Sequence, residues 1–196
     1  MADAALIDII KRQGLRKLDQ PIELASGAMS SDFVDVKVAL CRWADLQVAC
    51  RAIVQQVRAA GIEFDAAGGM TMGADSLAVG IAAETDGHWF SVRKEPKKRG
   101  TRQQIEGTPL GPGHRVLLLE DATTTGGSTE KAYEVIRETG AEIVAVATVI
   151  DRGDTARRRF DALGVPYFPA LTYTDLGIDP VVPPPQAEPW DTLRIV

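Results

Sequence analysis

Two adjacent acids, Glu120 and Asp121, follow the apolar run Val116 to Leu119 and precede a turn rich in threonine and glycine. Carboxylates accept hydrogen bonds, so this pair could hold the vicinal hydroxyls of a sugar, directly or through a hydrated metal ion. The turn leads into a helical run from Gly127 to Thr139, where unpaired backbone N–H groups and the helix dipole favour a bound phosphate. Acids, hydroxyls and glycines in this order predict a site for a phosphorylated sugar.

Two common phosphate-binding motifs do not occur in this stretch. It lacks the Gly-Lys-Ser/Thr ending of a P-loop and the G-x-G-x-x-G fingerprint of dinucleotide-binding proteins. The alternative interpretation is a glycine-rich turn whose acids only solvate the end of the strand. The order of the residues favours the sugar phosphate.

A second glycine-containing loop, residues 68–75, also joins a predicted strand to a predicted helix. Its glycines would let backbone amides approach an anion closely. Alone, the loop indicates no more than the tight strand-to-helix connection found in many α/β proteins. Together with the loop after Asp121, it favours a second phosphate site.

Positive charge is concentrated in a segment that leaves one predicted strand and runs for about twenty residues before the next. A solvated run of charge is the usual explanation of such a segment. A basic loop could also close over a pyrophosphate, exclude water and neutralise the charge that develops there. Against Glu95 alone, the segment holds Arg93, Lys94, Lys97, Lys98, Arg99 and Arg102.

The elements that would position these loops alternate along the chain. Strands are expected near 64–68, 89–93, 115–120 and 142–150, and helices near 74–85, 127–139 and 154–163. This alternation predicts an α/β fold whose parallel sheet carries helices on both faces. Before it, we expect helices over Asp3–Gln13 and Arg42–Ala60, and between them a small lid, or hood, of two short strands, Ile22–Leu24 and Phe33–Val38.

The chain is expected to have three parts. Residues 1–40 hold the N-terminal helix and the lid strands, and residues 41–178 hold the α/β core. Residues 179–196 form a proline-rich, extended tail, to which we assign no catalytic role.

Composition narrows the class of protein. The 196 residues are 45% apolar and 25% charged, which is typical of a soluble globular protein, and no run is long enough to cross a bilayer. Acids stand near the N-terminus where a secretory signal would carry basic residues, so we expect a cytoplasmic protein with no membrane partner. The net charge of −5 argues against nucleic acid as a partner.

The stretch from Val116 to Ser128 resembles the phosphoribosylpyrophosphate (PRPP) signature of the type I phosphoribosyltransferases. Over about residues 20–180 the chain resembles one branch of that family more closely, the orotate phosphoribosyltransferases. The segments that carry this resemblance are Leu24-Ala25-Ser26-Gly27 with Phe33 and Asp35, Gly-Met-Thr-Met-Gly-Ala-Asp at 69–75, Val92-Arg93-Lys94-Glu95, Ile105-Glu106-Gly107 and Val149-Ile150-Asp151-Arg152.

The resemblance implies the type I phosphoribosyltransferase fold and a reaction. Ribose 5-phosphate would pass from PRPP to orotate, giving orotidine 5'-monophosphate and pyrophosphate in pyrimidine (UMP) biosynthesis. Magnesium is the implied cofactor, held mainly by PRPP and water near Glu120 and Asp121, with no direct protein ligand. A homodimer is also implied, in which each basic loop is donated to the neighbouring subunit's site.

The resemblance further implies a role for each matching residue. Lys97 and Asp121 would be catalytic, and Thr124, Arg152 and Phe33 would bind orotate, since a guanidinium suits a carboxylate or carbonyl edge. Thr71, Met72 and Gly73 would form a pyrophosphate loop. PRPP would be bound by Arg93, Lys94, Lys97, Arg99, Glu120, Asp121, Ala122, Thr123, Thr124, Thr125, Gly126, Gly127 and Ser128.

Other functions remain open on the sequence. A phosphoribosyltransferase for another base would share the sugar-phosphate loops, although Arg152 and Phe33 favour orotate. A nucleotide-sensing regulator that binds RNA or DNA would need a fixed basic face, whereas the basic residues here cluster on a loop. A generic phosphate-binding α/β domain would leave that loop unexplained.

Overall fold

The structure is a computed structural model that describes residues 2–24, 26–96 and 103–184. The N-terminal part of the molecule forms a hood. Helix α1 (Ala4–Ile9) continues as a π-helical stretch, Ile10–Gly14. Strands β1 (Leu15–Glu23) and β2 (Met29–Val34) then pair antiparallel, and a short helix, α2 (Val36–Ala39), follows. The small lid expected from the sequence is therefore a two-stranded hairpin.

The strand boundaries of the hood differ from the prediction. The first strand begins at Leu15 instead of Ile22, and the second ends at Val34 instead of continuing to Val38. It ends there because Asp35 caps α2, its Oδ1 accepting the Val38 N–H at 3.0 Å.

The core alternates strands and helices as predicted. Its elements are α3 (Trp43–Ala59), β3 (Ala66–Met70), α4 (Asp75–Thr85), β4 (His88–Val92), β5 (Ile105–Gly107), β6 (Arg115–Thr123), α5 (Gly127–Arg137), β7 (Glu142–Asp151), α6 (Thr155–Ala162), β8 (Tyr167–Thr172) and α7 (Tyr173–Leu176). The six-stranded sheet has the order β5-β4-β3-β6-β7-β8, parallel except for β5. The expected α/β fold is confirmed.

Both faces of this sheet are buried, which explains the continuous apolar run of β6. Leu117 and Leu119 pack on one face with α3 and α4, where Ile53 lies, and Leu118 packs on the other with Ile136 of α5. Full burial of such a side chain contributes about 1.5–3 kcal/mol. Because helices cover both faces, a polar ligand reaches the sheet at the ends of its strands.

Three elements of the core were missed by the sequence analysis, as was the short helix α2 of the hood. Strand β8 contains Pro169, which is uncommon inside strands but tolerated here because β8 is an edge strand. Strand β5 and helix α7 have three and four residues, too few for a periodic pattern. Within the described part of the chain, no helix is both long and apolar enough to span a bilayer.

Candidate active site

A cavity of about 450 Å³ opens where β6 ends and α5 begins. Its wall is the segment from Ala122 to Thr129, joined by Glu120, by Ser26 from the hood, by Lys94 after β4 and by Lys131 of α5. The structure thus brings the predicted sugar-phosphate loop together with the first lysine of the basic segment. Ends of parallel strands are the usual position of ligand sites in α/β sheets.

Glu120 is a buried acid, with 6% of its surface exposed. The Thr129 hydroxyl donates to its Oε2 at 3.2 Å, and the Asp121 N–H donates to its Oε1 at 3.3 Å. Burial, followed by the negative charge of Asp121, raises the pKa of Glu120 to about 8. Burial therefore favours the protonated form of Glu120, which can donate a hydrogen bond.

Asp121 is held at both carboxylate oxygens. Its Oδ1 accepts the Ala122 N–H at 2.8 Å, and its Oδ2 lies 2.7 Å from Nζ of Lys37, on α2. This hydrogen bond is the main reason that the pKa of Lys37 is raised. The sequence analysis missed Lys37, because 84 positions separate it from Asp121 and only the fold brings them together.

The loop after β3 packs directly against the two acids. A Cβ atom at Gly73 would lie 2.6 Å from Oε1 of Glu120 and 2.8 Å from Oδ1 of Asp121. Thr71 and Met72, joined by a cis peptide bond, line a neighbouring cavity with Arg93 and Lys94. Lys94 borders both cavities, so the two predicted phosphate sites are adjacent.

The start of α5 is suited to an anion. Gly126, at its N-cap, has a φ of +77°, and no side chain of the described residues caps this end of the helix. The acid of the first turn, Glu130, forms an ion pair with the buried Arg159 of α6. Backbone N–H groups and the positive end of the helix dipole therefore face the cavity with the nearby negative charge compensated.

Arg152 follows β7 and is buried against the hood. Its Nη2 donates to the carbonyl oxygen of Asp32 at 2.9 Å and to Oγ of Ser30 at 3.3 Å, and burial lowers its pKa. Its Nε has no hydrogen-bond partner among the described residues. The Val181 N–H donates to the Arg152 carbonyl oxygen at 2.7 Å, so the start of the C-terminal tail is fixed here.

The remaining predicted residues lie in different surroundings. Thr124 lines the first cavity, whereas Phe33 is half-buried on β2, paired with Arg16 of β1. Neither Phe33 nor Arg152 is among the residues that the structure describes around that cavity. Lys97 and Arg99 fall outside the described ranges, as does the tail from residue 185.

The base of the basic segment is well defined. The Arg93 N–H donates to the Gln104 carbonyl oxygen at 2.8 Å, and Nε2 of Gln104 donates back to the Arg93 carbonyl at 2.8 Å. Arg93 also lies near Glu106, with 3.6 Å between Nη1 and Oε1. The two strands that carry the basic segment are thus joined at its start.

Thr129 and Lys131 were also missed as site residues. Both lie on the first turns of α5 and line the cavity. Lys131 is four residues from Gly127, on the same side of the helix, so extending the helical periodicity from the loop would have found it.

The oxygen atoms at this site suit a magnesium ion that keeps most of its water ligands better than one that is bound only by protein side chains. In the described ranges, no cluster of three or more His, Cys, Asp or Glu side chains could bind a metal ion. Asp121, next to Glu120, supplies carboxylate oxygens of the kind that magnesium uses, and magnesium commonly takes its other ligands from water and substrate phosphates.

Comparison with known proteins agrees with this site. Residues 42–166 match the phosphoribosyl transferase domain. The chain belongs to this family, whose members use PRPP with a divalent metal ion. Within the family it is similar to the orotate phosphoribosyltransferases, and the resemblance found in the sequence is confirmed.

Two curated relatives and one solved structure illustrate this similarity. The orotate phosphoribosyltransferase of Corynebacterium glutamicum (strain R) is 40% identical over 182 residues, covering 91% of this chain and 95% of that protein. That of Pyrococcus abyssi is 36% identical over 171 residues, covering 87% and 93%. The crystal structure of the Mycobacterium tuberculosis enzyme with PRPP superposes with a TM-score of 0.71 at 30% identity, covering 88% of this chain and 97% of that one.

Proposed function

We propose that this protein is an orotate phosphoribosyltransferase, a pentosyltransferase that acts in UMP biosynthesis. It transfers ribose 5-phosphate from PRPP to orotate, and the products are orotidine 5'-monophosphate and pyrophosphate. The observation that carries the proposal is the position of Glu120 in the wall of the cavity, with Asp121 next to it in the chain and the start of α5, which no described side chain caps, on the same cavity. The similarity to orotate phosphoribosyltransferases over most of the chain supports orotate as the acceptor.

The sugar phosphate is bound at the end of β6. The 5-phosphate receives hydrogen bonds from backbone N–H groups of α5 and from the hydroxyls of Thr124, Thr125 and Ser128. The ribose hydroxyls interact with Glu120 and Asp121. A protonated Glu120 donates a hydrogen bond and the Asp121 carboxylate accepts one, so the two acids bind the sugar hydroxyls in different ways.

The pyrophosphate lies in the neighbouring cavity. Arg93, Lys94, Lys97 and Arg99 stabilise its charge. The loop Thr71–Gly73 offers it the Met72 N–H, since the N–H groups of Thr71 and Gly73 donate to the carbonyl oxygens of Val92 and Met70. Magnesium bound to PRPP would offset the negative charge of the departing pyrophosphate. The C1–oxygen bond of PRPP breaks ahead of bond formation, leaving a ribose centre with oxocarbenium character.

Orotate is aligned by Arg152, Phe33 and Thr124. Its ring nitrogen forms the new bond to C1, and the electron pair of the broken C1–oxygen bond leaves with pyrophosphate, which also takes up the proton lost from the ring nitrogen. Nε of Arg152, which lacks a partner among the described residues, is a donor for the carboxylate or carbonyl edge of the base. The protein need not supply a nucleophile, and its contribution is alignment and charge stabilisation.

The proposal includes a homodimer in which the basic loop enters the neighbouring subunit's site. The two hydrogen bonds between Arg93 and Gln104 fix the points at which the basic segment leaves the sheet and returns to it, and this supports the proposal. A cytoplasmic location, the division at residues 40 and 178, and a tail without catalytic role stay predictions of the sequence.

Pyrophosphate release from PRPP and magnesium tests the function. Orotate is compared with uracil, adenine, hypoxanthine and no base, using the purified chain and an Asp121→Asn variant. Release with orotate alone, lost in the variant, is the expected result. Release of pyrophosphate with another base would support phosphoribosyl transfer but would overturn the assignment of Arg152 to orotate binding. PRPP binding without release for any base would favour the nucleotide-sensing regulator.

A further inference from the structure

A lysine of the hood reaches the acid pair of the core. Nζ of Lys37 lies 2.7 Å from Oδ2 of Asp121, although 58% of the lysine side chain and only 15% of the aspartate side chain are exposed. The contact joins α2, directly after the hood hairpin, to the end of β6. It therefore links two parts of the fold that are far apart in sequence.

Helix α2 is held firmly where this lysine begins. Val36 and Ala39 are buried in the core cluster, and the Asp35 N–H donates to the Gly14 carbonyl oxygen at 2.9 Å. A Cβ atom at Gly14 would lie 2.8 Å from the Asp35 carbonyl oxygen, so the backbones are in close contact. A rigid support of this kind fixes the direction from which Lys37 approaches.

The acids beside Lys37 explain why a cation is useful there. Glu120 and Asp121 are adjacent in sequence, and Asp35 adds a third carboxylate whose charge also acts on Lys37. The negative charges of Asp121 and Asp35 attract a cation, and the short charge-assisted hydrogen bond to Asp121 fixes its position. With Oδ1 bound to the Ala122 N–H and Oδ2 bound to Lys37, the Asp121 carboxylate has one orientation.

We propose that Lys37 is a positioning residue for PRPP binding, which holds the Asp121 carboxylate in the orientation that accepts the ribose hydroxyls. This role rests on the proposed function, because it assigns the ribose to the acid pair. It makes the hood a contributor to the ribose site and not only a cover for the base.

Steady-state kinetics of Lys37→Met and Lys37→Arg test the role. The methionine keeps the length of the aliphatic chain and removes the charge, so the KM for PRPP should rise about 3- to 10-fold, as loss of a partly exposed charged hydrogen bond predicts. The KM for orotate should change less than twofold. The arginine restores a cation and should recover most of the loss.

Two comparisons separate positioning from a general structural effect. Lys11→Met, at an exposed lysine of the π-helical stretch, should leave both KM values unchanged. In an Asp121→Asn background, Lys37→Met should add little, because its partner carboxylate is already gone. An unchanged KM for PRPP in Lys37→Met, or an arginine variant no better than methionine, would overturn the proposal.

Calorimetric titration with PRPP and magnesium, without any base, keeps this test independent of catalysis. If the wild-type chain binds PRPP but transfers ribose 5-phosphate to no base, the proposed function fails. Weaker binding of PRPP by Lys37→Met would then still support the positioning role. Equal binding of PRPP by wild type and Lys37→Met would refute that role, while the transfer of ribose 5-phosphate to orotate would still stand. No PRPP binding by the wild-type chain would refute both.

Discussion

The Thr129 hydroxyl donates a hydrogen bond to Oε2 of Glu120 over 3.2 Å, which connects the first turn of α5 to the end of β6. The same turn offers its backbone N–H groups to the 5-phosphate in the proposed reaction. Thr129 is almost fully buried, with 1% of its surface exposed, so its hydroxyl has little access to water. The Thr129 side chain therefore fixes the position of Glu120, which is assigned to the ribose, relative to the N–H groups of α5, which are assigned to the phosphate.

Thr129→Val removes this hydroxyl and keeps the size of the side chain. Because Oε2 of Glu120 loses a buried donor, we expect a loss of about 1–3 kcal/mol in the interaction, seen as a higher KM for PRPP. Thr129→Ser, which keeps the hydroxyl, is the matched control and should stay near wild type. Equal KM values for all three proteins would show that the hydrogen bond has no part in PRPP binding.

Glu120 gives the stability of the protein a defined pH dependence. Its folded pKa, about 8, is above the ordinary value of 4.5, so between these values the folded state binds more protons than the unfolded state. The stabilisation is fully present below about pH 4.5 and is lost as pH rises toward 8, by up to about 1.4 kcal/mol per pH unit. Glu120→Gln, which does not titrate, should lack this component.

Urea unfolding at several pH values between 5 and 8 measures that difference. The free energy of unfolding of wild type should fall relative to that of Glu120→Gln as pH rises through this interval. A constant difference would mean that Glu120 does not bind its proton more tightly in the folded state.

A side chain at Gly73 should disturb the acid pair. A Cβ atom there would meet Oε1 of Glu120 at 2.6 Å and Oδ1 of Asp121 at 2.8 Å, both too close for real contacts. Gly73→Ala should therefore displace the acid pair and raise the KM for PRPP about tenfold or more, by at least 1.4 kcal/mol. Gly111→Ala is the control, since a Cβ at Gly111 meets nothing within 4 Å. Wild-type kinetics in Gly73→Ala would show that the loop adjusts freely.

The core and the location of the site were readable from the sequence because their signals are local. The run Val116–Leu119 predicted a strand buried on both faces, and the residues after it predicted a phosphate site at a helix start. Lys37 gave no such signal, because its partner is distant in sequence and a lone exposed lysine is ordinary. Strand β8 was missed for a related reason: Pro169 argues against a strand, and only its edge position permits it.

Arg159 should be important for stability. It is 3% exposed and forms an ion pair with Glu130 in the first turn of α5. Removing the buried Arg159 leaves the charge of Glu130, whose side chain is 23% exposed, without this partner, so Arg159→Met should destabilise the fold by about 1–3 kcal/mol in urea unfolding. The neighbouring Arg158 is exposed, and Arg158→Met should change stability far less. Adding Glu130→Gln to Arg159→Met should restore part of the loss, and failure to do so would contradict the ion pair as its cause.

Lys97→Ala should lower turnover more than it weakens substrate binding. Charge on the departing pyrophosphate is largest in the transition state, so a cation assigned to it acts there more strongly than in the ground state. We expect a fall of about 100-fold in kcat with a much smaller change in the KM for PRPP. Lys98→Ala is the adjacent control, and an unchanged kcat in Lys97→Ala would remove this lysine from the catalytic account.

The same variant tests whether the basic loop crosses to the neighbouring subunit. In a mixed dimer of Lys97→Ala and Asp121→Asn chains, a donated loop gives one site with both residues intact and one site lacking both. Equal mixing makes half of the dimers mixed, so about a quarter of wild-type activity should return when the two inactive proteins are unfolded and refolded together. Loops that serve their own subunit would leave every site with one defect, and the mixture would remain inactive.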